Sequence, residues 1–334
     1  MAAATMYVTP AGAGAKDGTT WATAFGEAEF EADLETNAEA GDIYYVAGGT
    51  YTLDTTYDST ARDATTVAPI SIIGVNSGTT NEPPVLADWA TADNRPLFAC
   101  GASYSISVGD YYKVFNCRFT GAAASILILG SSGVCYNCKS TNSRTATATA
   151  TSFSGTTATF ISCEGIGSDS THGYAFACQR MIYCYAHDCN WAVDTIGNGV
   201  YLFNILDTAT VGFSVVSDDS LTAFGNTIYN CVTAVSATDS YAFIGINNIV
   251  DTATYGFLWT TQNNINVYMY NHIGNSVTDM WDLVAEIGNS DLHRDHWVTG
   301  PEDPDFTDEA GGNFSLEGTS PCINAGLAMQ LGVG

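Results

Sequence analysis

The sequence predicts an all-β fold, a single-stranded right-handed parallel β-helix with about 20–25 residues per coil and short helical caps. Three observations predict it. A cysteine or asparagine recurs at a nearly constant interval within strand-like pentapeptides. A second strand-like register recurs every 19 to 22 residues. Thr, Ser, Gly, Asn and aromatic residues dominate while charged residues make up only 13% of the chain, which is typical of β-rich, tightly turned proteins.

The first recurrence is a column of residues, here called the ladder, that changes from Cys to Asn halfway along. Its members follow one another after 21, 25, 21, 20, 22, 22 and 23 residues: Cys117, Cys138, Cys163, Cys184, Asn204, Asn226, Asn248 and Asn271. Side chains two apart on a strand share a face. Positions two before and two after the ladder are mostly apolar, such as Phe115, Phe119, Ile182 and Ala186. We therefore expect the ladder and both neighbours to point into the core.

The second register predicts another strand in each coil. It runs through Gly173-Tyr174, Ala192-Val193, Gly212-Phe213, Ala234-Val235 and Gly256-Phe257. The tetrapeptide DTAT at 207–210 recurs at 251–254, 44 residues later, as expected if two coils separate the copies. Repeats this short stack as a solenoid in which each coil buries its core against the next. Right-handed winding follows from the general preference of parallel crossovers.

The ladder residues are expected to be structural. Cys184, His187 and Cys189 look like the start of a zinc site, but Cys184 and His187 differ in parity along the strand, so one ion could not easily bind both. In-register cysteines lie about 4.8 Å apart with parallel side-chain directions, outside the usual disulfide geometry. Most of the ten cysteines should therefore be buried thiols. Stacked asparagines should pair with one another and with the turn backbone.

The chain is expected to have three regions. They are an N-terminal segment with a helical cap at 1–41, the β-helix at 42–274, and a C-terminal capping helix with a terminal loop and strand element at 275–334. Near the start, Phe25, Phe30 and Leu34 lie on one side of a predicted helix that plugs the first coil, and the first strand follows at 43–46.

A second capping helix is predicted in SVTDMWDLVAEIG, after the last coil. Ser276 and Asp279 would form its capping box and Gly288 its stop. Met280, Trp281, Val284 and Ile287 would share one stripe facing the last coils.

The charge balance limits the partners. There are 35 Asp and Glu against 9 Lys and Arg, a formal net charge of −26. Such a surface repels phosphate backbones, so nucleic acid is not expected as a partner. An acidic polysaccharide would need a local basic groove, which so few cations can hardly build. No apolar run has the length of a membrane span, and the first residues lack the basic and apolar parts of a signal peptide.

Both ends of the chain resemble a known group. The opening YVTPAGAGAKDGTTWATAF resembles the start of many right-handed parallel β-helix proteins of bacteria and phages, the pectate-lyase-like superfold. The closing DPDF, NFSL and SPCINAG resemble the terminal element of the same group. The resemblance implies the fold but no single activity, since the group includes polysaccharide lyases, glycoside hydrolases, surface proteins and phage tail or particle proteins.

One outer column carries the strongest candidates for chemistry. His187, Asp207 and Asp251 each lie three residues after a ladder position, with Tyr229 between the two acids. A His, two acids and a Tyr on one face could bind a sugar or, if the acids converge, cleave it. The alternative is that both acids open turns through Asx hydrogen bonds. Further candidates are Asp218 and Asp219 for catalysis and Tyr183, Tyr185 and Tyr229 for glycan binding.

Two loops carry possible metal ligands. His293, Asp295 and His296 have the chemistry for a transition metal, and Asp303, Asp305 and Asp308 for calcium, the one cofactor considered. In both loops, solvated side chains are the alternative.

Pectate-lyase-like chemistry is disfavoured because basic residues are nearly absent after Arg180. Polygalacturonase-like hydrolases combine their Asp residues with an R-x-K element, and no such element accompanies the Asp pair of this chain.

These observations favour a structural or adhesive protein. We expect a phage particle or tail component on a virion or cell surface, with other surface proteins and neutral glycans as partners and no membrane insertion. The alternative is a secreted glycoside hydrolase or polysaccharide lyase. The sequence leaves open whether several copies assemble.

Overall fold

The structure, a computed structural model, describes residues 3–62, 64–91, 94–145, 149–167, 173–216, 219–238, 242–259, 265–269, 271–273, 279–283, 298–299 and 303–323. Contacts divide the chain into two units, Met1–Arg180 and Met181–Gly334. Each unit consists mainly of parallel strands paired coil to coil, which confirms the predicted parallel β-helix. Among the described residues, no helix has the length and apolar character needed to cross a membrane.

The first unit stacks its strands in three parallel sheets. Its strands are β1 (Thr5–Val8), β2 (Ile43–Ala47), β3 (Thr50–Thr52), β4 (Tyr57–Ser59), β5 (Ser71–Val75), β6 (Leu97–Ala99), β7 (Ile106–Val108), β8 (Lys113–Phe115), β9 (Arg118–Gly121), β10 (Ser125–Leu129), β11 (Val134–Tyr136), β12 (Lys139–Asn142), β13 (Ala150–Ile161), β14 (Glu164–Ile166) and β15 (Gly173–Ile182), which ends in the second unit. Sheet A holds β1, β2, β5, β8, β11 and the end of β13; sheet B holds β3, β6, β9, β12 and β14; sheet C holds β4, β7, β10 and the start of β13.

Equivalent residues of successive coils form columns. In sheet B, Leu97 pairs with Arg118, Arg118 with Lys139, and Lys139 with Glu164. Rungs of a parallel sheet are about 4.8 Å apart, so side chains at one register position lie within reach of one another.

A short helix lies where the sequence predicts the N-terminal plug. Helix α1 (Glu27–Thr36) follows a 3-10 turn at Trp21–Thr23, and Glu29 caps it by accepting the backbone N–H of Gly26. Phe30 and Leu34 are buried on its inner side. Phe25 precedes the helix, where its N–H donates to the carbonyl of Tyr7.

The second unit is also built of parallel strands paired coil to coil. Its strands are β16 (Tyr185–Leu202), β17 (Ile205–Val216), β18 (Ser220–Phe224), β19 (Thr227–Thr238), β20 (Ala242–Ile246), β21 (Ile249–Asp251), β22 (Tyr255–Trp259), β23 (Ile265–Met269), β24 (His272–Ile273), β25 (Asp279–Leu283), β26 (Val298–Thr299), β27 (Phe306–Asp308) and β28 (Asn313–Leu316). Strands β27 and β28 form an antiparallel pair, here called the C-terminal hairpin.

All eight ladder residues point inward, each at most 4% exposed. The prediction for their neighbours is right on one side and wrong on the other. Residues two after the ladder, such as Phe119 and Ala186, are buried, but Phe115 and Ile182 face outward. The residues three before the ladder point inward instead: Val114, Cys135, Phe160, Met181, Tyr201 and Ala223.

A left-handed residue immediately before the ladder causes this difference. Its φ lies between +51° and +65° in each described case: Asn116, Asn137, Ser162, Tyr183, Phe203, Gly225 and Asn247. This conformation ends one strand and turns the chain into the next, so strand alternation does not carry across it. We call these seven residues the turn row.

The asparagine part of the ladder is fully hydrogen-bonded, as predicted. Asn226 Oδ1 accepts from both the backbone N–H and Nδ2 of Asn204 at 2.9 Å. Asn226 Nδ2 donates to the carbonyl of Tyr201 at 3.0 Å and to Asn248 Oδ1 at 2.9 Å. Asn248 repeats this pattern with Asn271.

The cysteine part uses weaker acceptors in the same place. Cys138 Sγ accepts the backbone N–H of Cys117 at 3.4 Å. All ten cysteines are thiols and nine are buried, as the sequence predicts. Burial raises the pKa of Cys138 well above its ordinary value, so this thiol is unreactive as a nucleophile in the folded protein.

The predicted C-terminal helix is wrong where the structure describes it. Residues Asp279–Leu283 form strand β25, which pairs in parallel with β22 through Tyr255 to Asp279 and Trp259 to Leu283. Pairing with a preformed coil edge outweighs the local capping signal, because tertiary context overrides helix propensity. Ser276, Val284, Ile287 and Gly288 lie outside the described residues.

Candidate functional site

A cationic groove lies on the outer face of sheet B in the first unit. Its volume is about 390 Å³. The lining residues are Arg95, Leu97, Arg118, Phe119, Thr120, Lys139, Thr141 and Glu164. Three of the nine basic residues of a chain with net charge −26 therefore meet in one groove. Such a local reversal of charge attracts anions that the rest of the surface repels.

A hydrogen bond holds each cationic side chain in the groove. Arg95 Nη2 donates to Asn137 Oδ1 at 2.9 Å, and Arg118 Nε donates to the carbonyl of Arg95 at 3.2 Å. Lys139 Nζ donates to Glu164 Oε1 at 2.7 Å, in a half-exposed ion pair. These contacts orient the charges before any ligand arrives, which reduces the ordering that binding requires.

The groove corrects the expectation that so few cations can hardly build a basic surface. Arg118, Lys139 and Glu164 each follow a ladder cysteine by one residue, so the repeat stacks them in one column. The sequence contained this signal, since successive ladder cysteines are followed directly by an arginine, a lysine and a glutamate. Arg95 had no such signal, because it lies in a loop before β6.

The predicted outer column exists in the second unit. His187 pairs with Asp207, Asp207 with Tyr229, and Tyr229 with Asp251 in the registers of neighbouring strands. Tyr185 stacks on His187 with ring centroids 4.2 Å apart and donates to Asp207 Oδ2 at 3.1 Å. We call His187, Asp207, Tyr229 and Asp251 the acidic column.

The C-terminal hairpin covers part of this column. The ring of Tyr229 lies 5.3 Å from that of Phe314 and 6.2 Å from that of Phe306. Asp251 is buried. Tyr229 therefore packs under the hairpin and does not present an open platform for a sugar ring.

Like charges meet under the hairpin. Burial raises the pKa of Glu309, and the nearby carboxylates of Asp303 and Asp251 raise it further. Burial, followed by the carboxylate of Glu309, raises the pKa of Tyr229. A carboxyl group with a raised pKa can serve as a general acid, which keeps this region a candidate for acid catalysis.

Asp207 and Asp251 each accept a hydrogen bond from the hydroxyl of the threonine that follows. Thr208 Oγ1 donates to Asp207 Oδ1 at 2.8 Å, and Thr252 Oγ1 donates to Asp251 Oδ2 at 3.1 Å. Both threonines adopt the left-handed conformation. These bonds join side chains, whereas an Asx turn is closed by a bond to the backbone, so the turn role and the chemical role of the two acids both stay predictions.

The remaining candidates are dispersed. Tyr183 is 60% exposed and lies in the turn row, where its ring stacks on Phe203 at 5.2 Å. Asp305 donates its N–H to Asp303 Oδ1, and Asp308 Oδ1 accepts the N–H of Gly311. No group of three or more His, Cys, Asp or Glu side chains within the described part of the chain is arranged to hold a metal ion. Asp218, His293, Asp295 and His296 lie outside the described residues.

Asp194 is a titratable residue that the sequence reasoning missed. It lies on β16, where burial and the nearby carboxylate of Asp219 raise its pKa to about 6. Asp219 Oδ1 accepts the backbone N–H of Gly197 at 2.9 Å. The two carboxyl groups thus have different environments, a feature shared by acid and base pairs of hydrolytic sites.

Replacing Asp194 with Asn is expected to stabilise the protein at pH 7 by about 3 kcal/mol, because folding raises this pKa from an unfolded value of about 3.9. Below about pH 4 the Asp194 carboxyl is protonated in the folded and the unfolded protein, so it does not lower the free energy of unfolding. The wild type loses stability as the pH rises to about 6, and above that pH it carries the full cost of ionising the buried carboxyl. Urea unfolding at several pH values measures the difference. Asp54→Asn, at an exposed site, is the control, and an equal gain there would contradict the prediction.

Comparison with known proteins returns only distant structural similarities. No protein family and no curated protein matches the sequence. A pectate lyase structure is 16% identical, with 98% of this chain and 92% of that chain covered and a TM-score of 0.49. An alginate lyase of family PL6 is 11% identical over 86% of this chain and 41% of that one, with a TM-score of 0.46. A rhamnogalacturonan lyase is 14% identical over 98% and 95%, with a TM-score of 0.40. These are similarities of chain path.

Proposed function

We propose that the protein is a carbohydrate-active enzyme that binds an anionic polysaccharide in the cationic groove and cleaves it by β-elimination. The main support for this proposal is that Arg95, Arg118 and Lys139 line one groove of an otherwise acidic chain. This proposal replaces the interpretation as a phage particle or tail component, which no feature of the described residues supports. We keep a location outside the cell as a prediction.

The groove offers the groups that elimination from a uronate needs. Arginine guanidinium groups bind a carboxylate through paired hydrogen bonds and stabilise the charge that develops when the adjacent C5 proton leaves. Lys139, held by Glu164 Oε1 at 2.7 Å from its Nζ, is the proposed base in its neutral amine form. Its amine takes the C5 proton, the C–H electrons form the C4–C5 double bond, and the C4–O bond breaks, with its oxygen taking a proton from water.

The test is a panel of polygalacturonate, alginate, a sulfated galactan and a neutral galactan. We expect ultraviolet absorbance of an unsaturated uronate from one of the two polyuronates. We expect about tenfold weaker binding, the value of one charged hydrogen bond, for each of the variants Arg118→Gln and Lys139→Gln. Lys139→Gln should also abolish turnover, because it removes the proposed base. Lys16→Gln is the control, since it makes the same charge change at an exposed pair with Glu29.

Two outcomes would contradict the proposal. Equal weakening by Lys16→Gln would mean that total charge, and not the groove, governs binding. Reducing ends released from the neutral galactan without unsaturated product would instead favour hydrolysis, for which Glu309 with its raised pKa is the candidate acid.

A further inference from the structure

The turn row borders the cationic groove in the first unit. Asn116 and Asn137 have φ of 54° and 52°, and each precedes by two residues a cation of the groove, Arg118 and Lys139. Asparagine tolerates this conformation better than other side chains except glycine. The backbone alone would therefore accept glycine at either position, so the amide side chains need another explanation.

The Asn137 amide is held at both ends. Its Nδ2 donates to Asn116 Oδ1 at 2.7 Å, and its Oδ1 accepts from Arg95 Nη2 at 2.9 Å. The carbonyl of Arg95 in turn accepts from Arg118 Nε. The Asn137 side chain thus links the turn row to the guanidinium of Arg95, and Arg118 contacts the backbone of the same residue.

Arg95 is held in an orientation that leaves one of its donors without a partner. Its Nε is buried and has no hydrogen-bond partner among the described residues. A buried donor without an acceptor costs about 1–3 kcal/mol, whereas a solvated guanidinium would avoid that penalty. The Asn137 amide therefore counteracts the tendency of this arginine to move into water.

We propose that Asn137 positions the guanidinium of Arg95 to bind a carboxylate of the anionic polysaccharide in the groove. This inference rests on the proposed function. A planar guanidinium recognises a planar carboxylate only in the correct orientation, whereas a misdirected one contributes little more than its charge. Asn137 is a positioning residue in this scheme, and Arg95 is the residue that contacts the ligand.

The test uses Asn137→Gly, which fits φ 52° without strain and removes only the amide. We expect the affinity for an oligogalacturonate of defined length to fall about tenfold, as for loss of one charged hydrogen bond. The slope of log Kd against log salt should stay unchanged, because the charge of Arg95 remains. Arg95→Gln should lower both the affinity and the slope, since that slope counts charged contacts to a polyanion.

A double-mutant cycle separates positioning from a general effect. The variant with both Asn137→Gly and Arg95→Gln should bind no more weakly than Arg95→Gln alone, because Asn137 acts through Arg95. Ser162→Gly changes the next place in the turn row, at φ 51°, and should leave affinity unchanged.

Each other result overturns the inference. Unchanged affinity in Asn137→Gly, or additive losses in the double variant, would show that Asn137 does not act through Arg95 while leaving the proposed function intact. If the wild-type protein binds neither polyuronate, the proposed function and this inference both fail.

Discussion

Asn226→Ala is expected to lower the free energy of unfolding by about 4 kcal/mol, one of the two largest effects predicted here for a single side chain. The substitution removes an acceptor for the backbone N–H and Nδ2 of Asn204, and a donor for the carbonyl of Tyr201. All three groups belong to buried hydrogen bonds. Asn248 Oδ1 keeps the backbone N–H of Asn226 as its donor.

The size of this effect follows from burial. Asn226 is inaccessible to solvent, so water cannot replace the lost partners. Each orphaned group costs about 1–3 kcal/mol, far more than the net gain from making one hydrogen bond. The neighbouring apolar side chains cannot replace these hydrogen bonds, because the groups left without partners are polar.

Urea unfolding followed by circular dichroism measures the change. Asn230→Gly is the matched control, since Asn230 is exposed, has φ 50°, and its Nδ2 donates to Thr208 Oγ1 at 3.3 Å. It should change stability by less than about 0.5 kcal/mol. A loss below about 1 kcal/mol in Asn226→Ala would refute a stabilising role for the ladder.

Phe30→Ala is expected to lower the free energy of unfolding by about 4 kcal/mol, as for other large-to-small changes in a packed core. Phe30 contacts the rings of Tyr44 at 5.4 Å, Tyr57 at 6.0 Å and Phe98 at 6.4 Å. The space left between the helix and the coils is only about 10 Å³. Removing the ring therefore opens a cavity at the capped end of the first unit.

Thermal denaturation with an exposed-dye readout checks this prediction. Val67→Ala serves as the control because Val67 is 93% exposed. Phe30→Leu should recover part of the loss, since it refills some of the cavity. Equal midpoints for Phe30→Ala and wild type would mean that α1 does not act as a plug.

Much of the fold could be predicted because it repeats. The ladder and the acidic column each followed from spacing alone, and the structure places both in the expected registers. The outward direction of Phe115 could not be predicted by alternation, since Asn116 takes a left-handed φ that resets the strand. A single backbone angle of this kind has no unambiguous signal in one sequence.

The candidate site was less predictable than the fold. Arg118 and Lys139 follow ladder cysteines and could have been aligned, but Arg95 reaches the groove from a loop outside the repeat. Likewise, nothing near Tyr229 in the sequence indicates that Phe306 and Phe314 pack on it. Both are contacts between residues distant in the chain.

The sequence by itself determined the coil, the inward ladder, the buried thiols and the N-terminal plug, because each depends on a local period or on one amphipathic segment. Only the tertiary structure decided that three scarce cations meet in one groove, that a hairpin covers part of the acidic column at Tyr229, and that residues 279–283 pair as a strand. The physical reason is that local periodicity fixes which face a side chain occupies, whereas charge clustering and strand pairing depend on neighbours brought together only by folding.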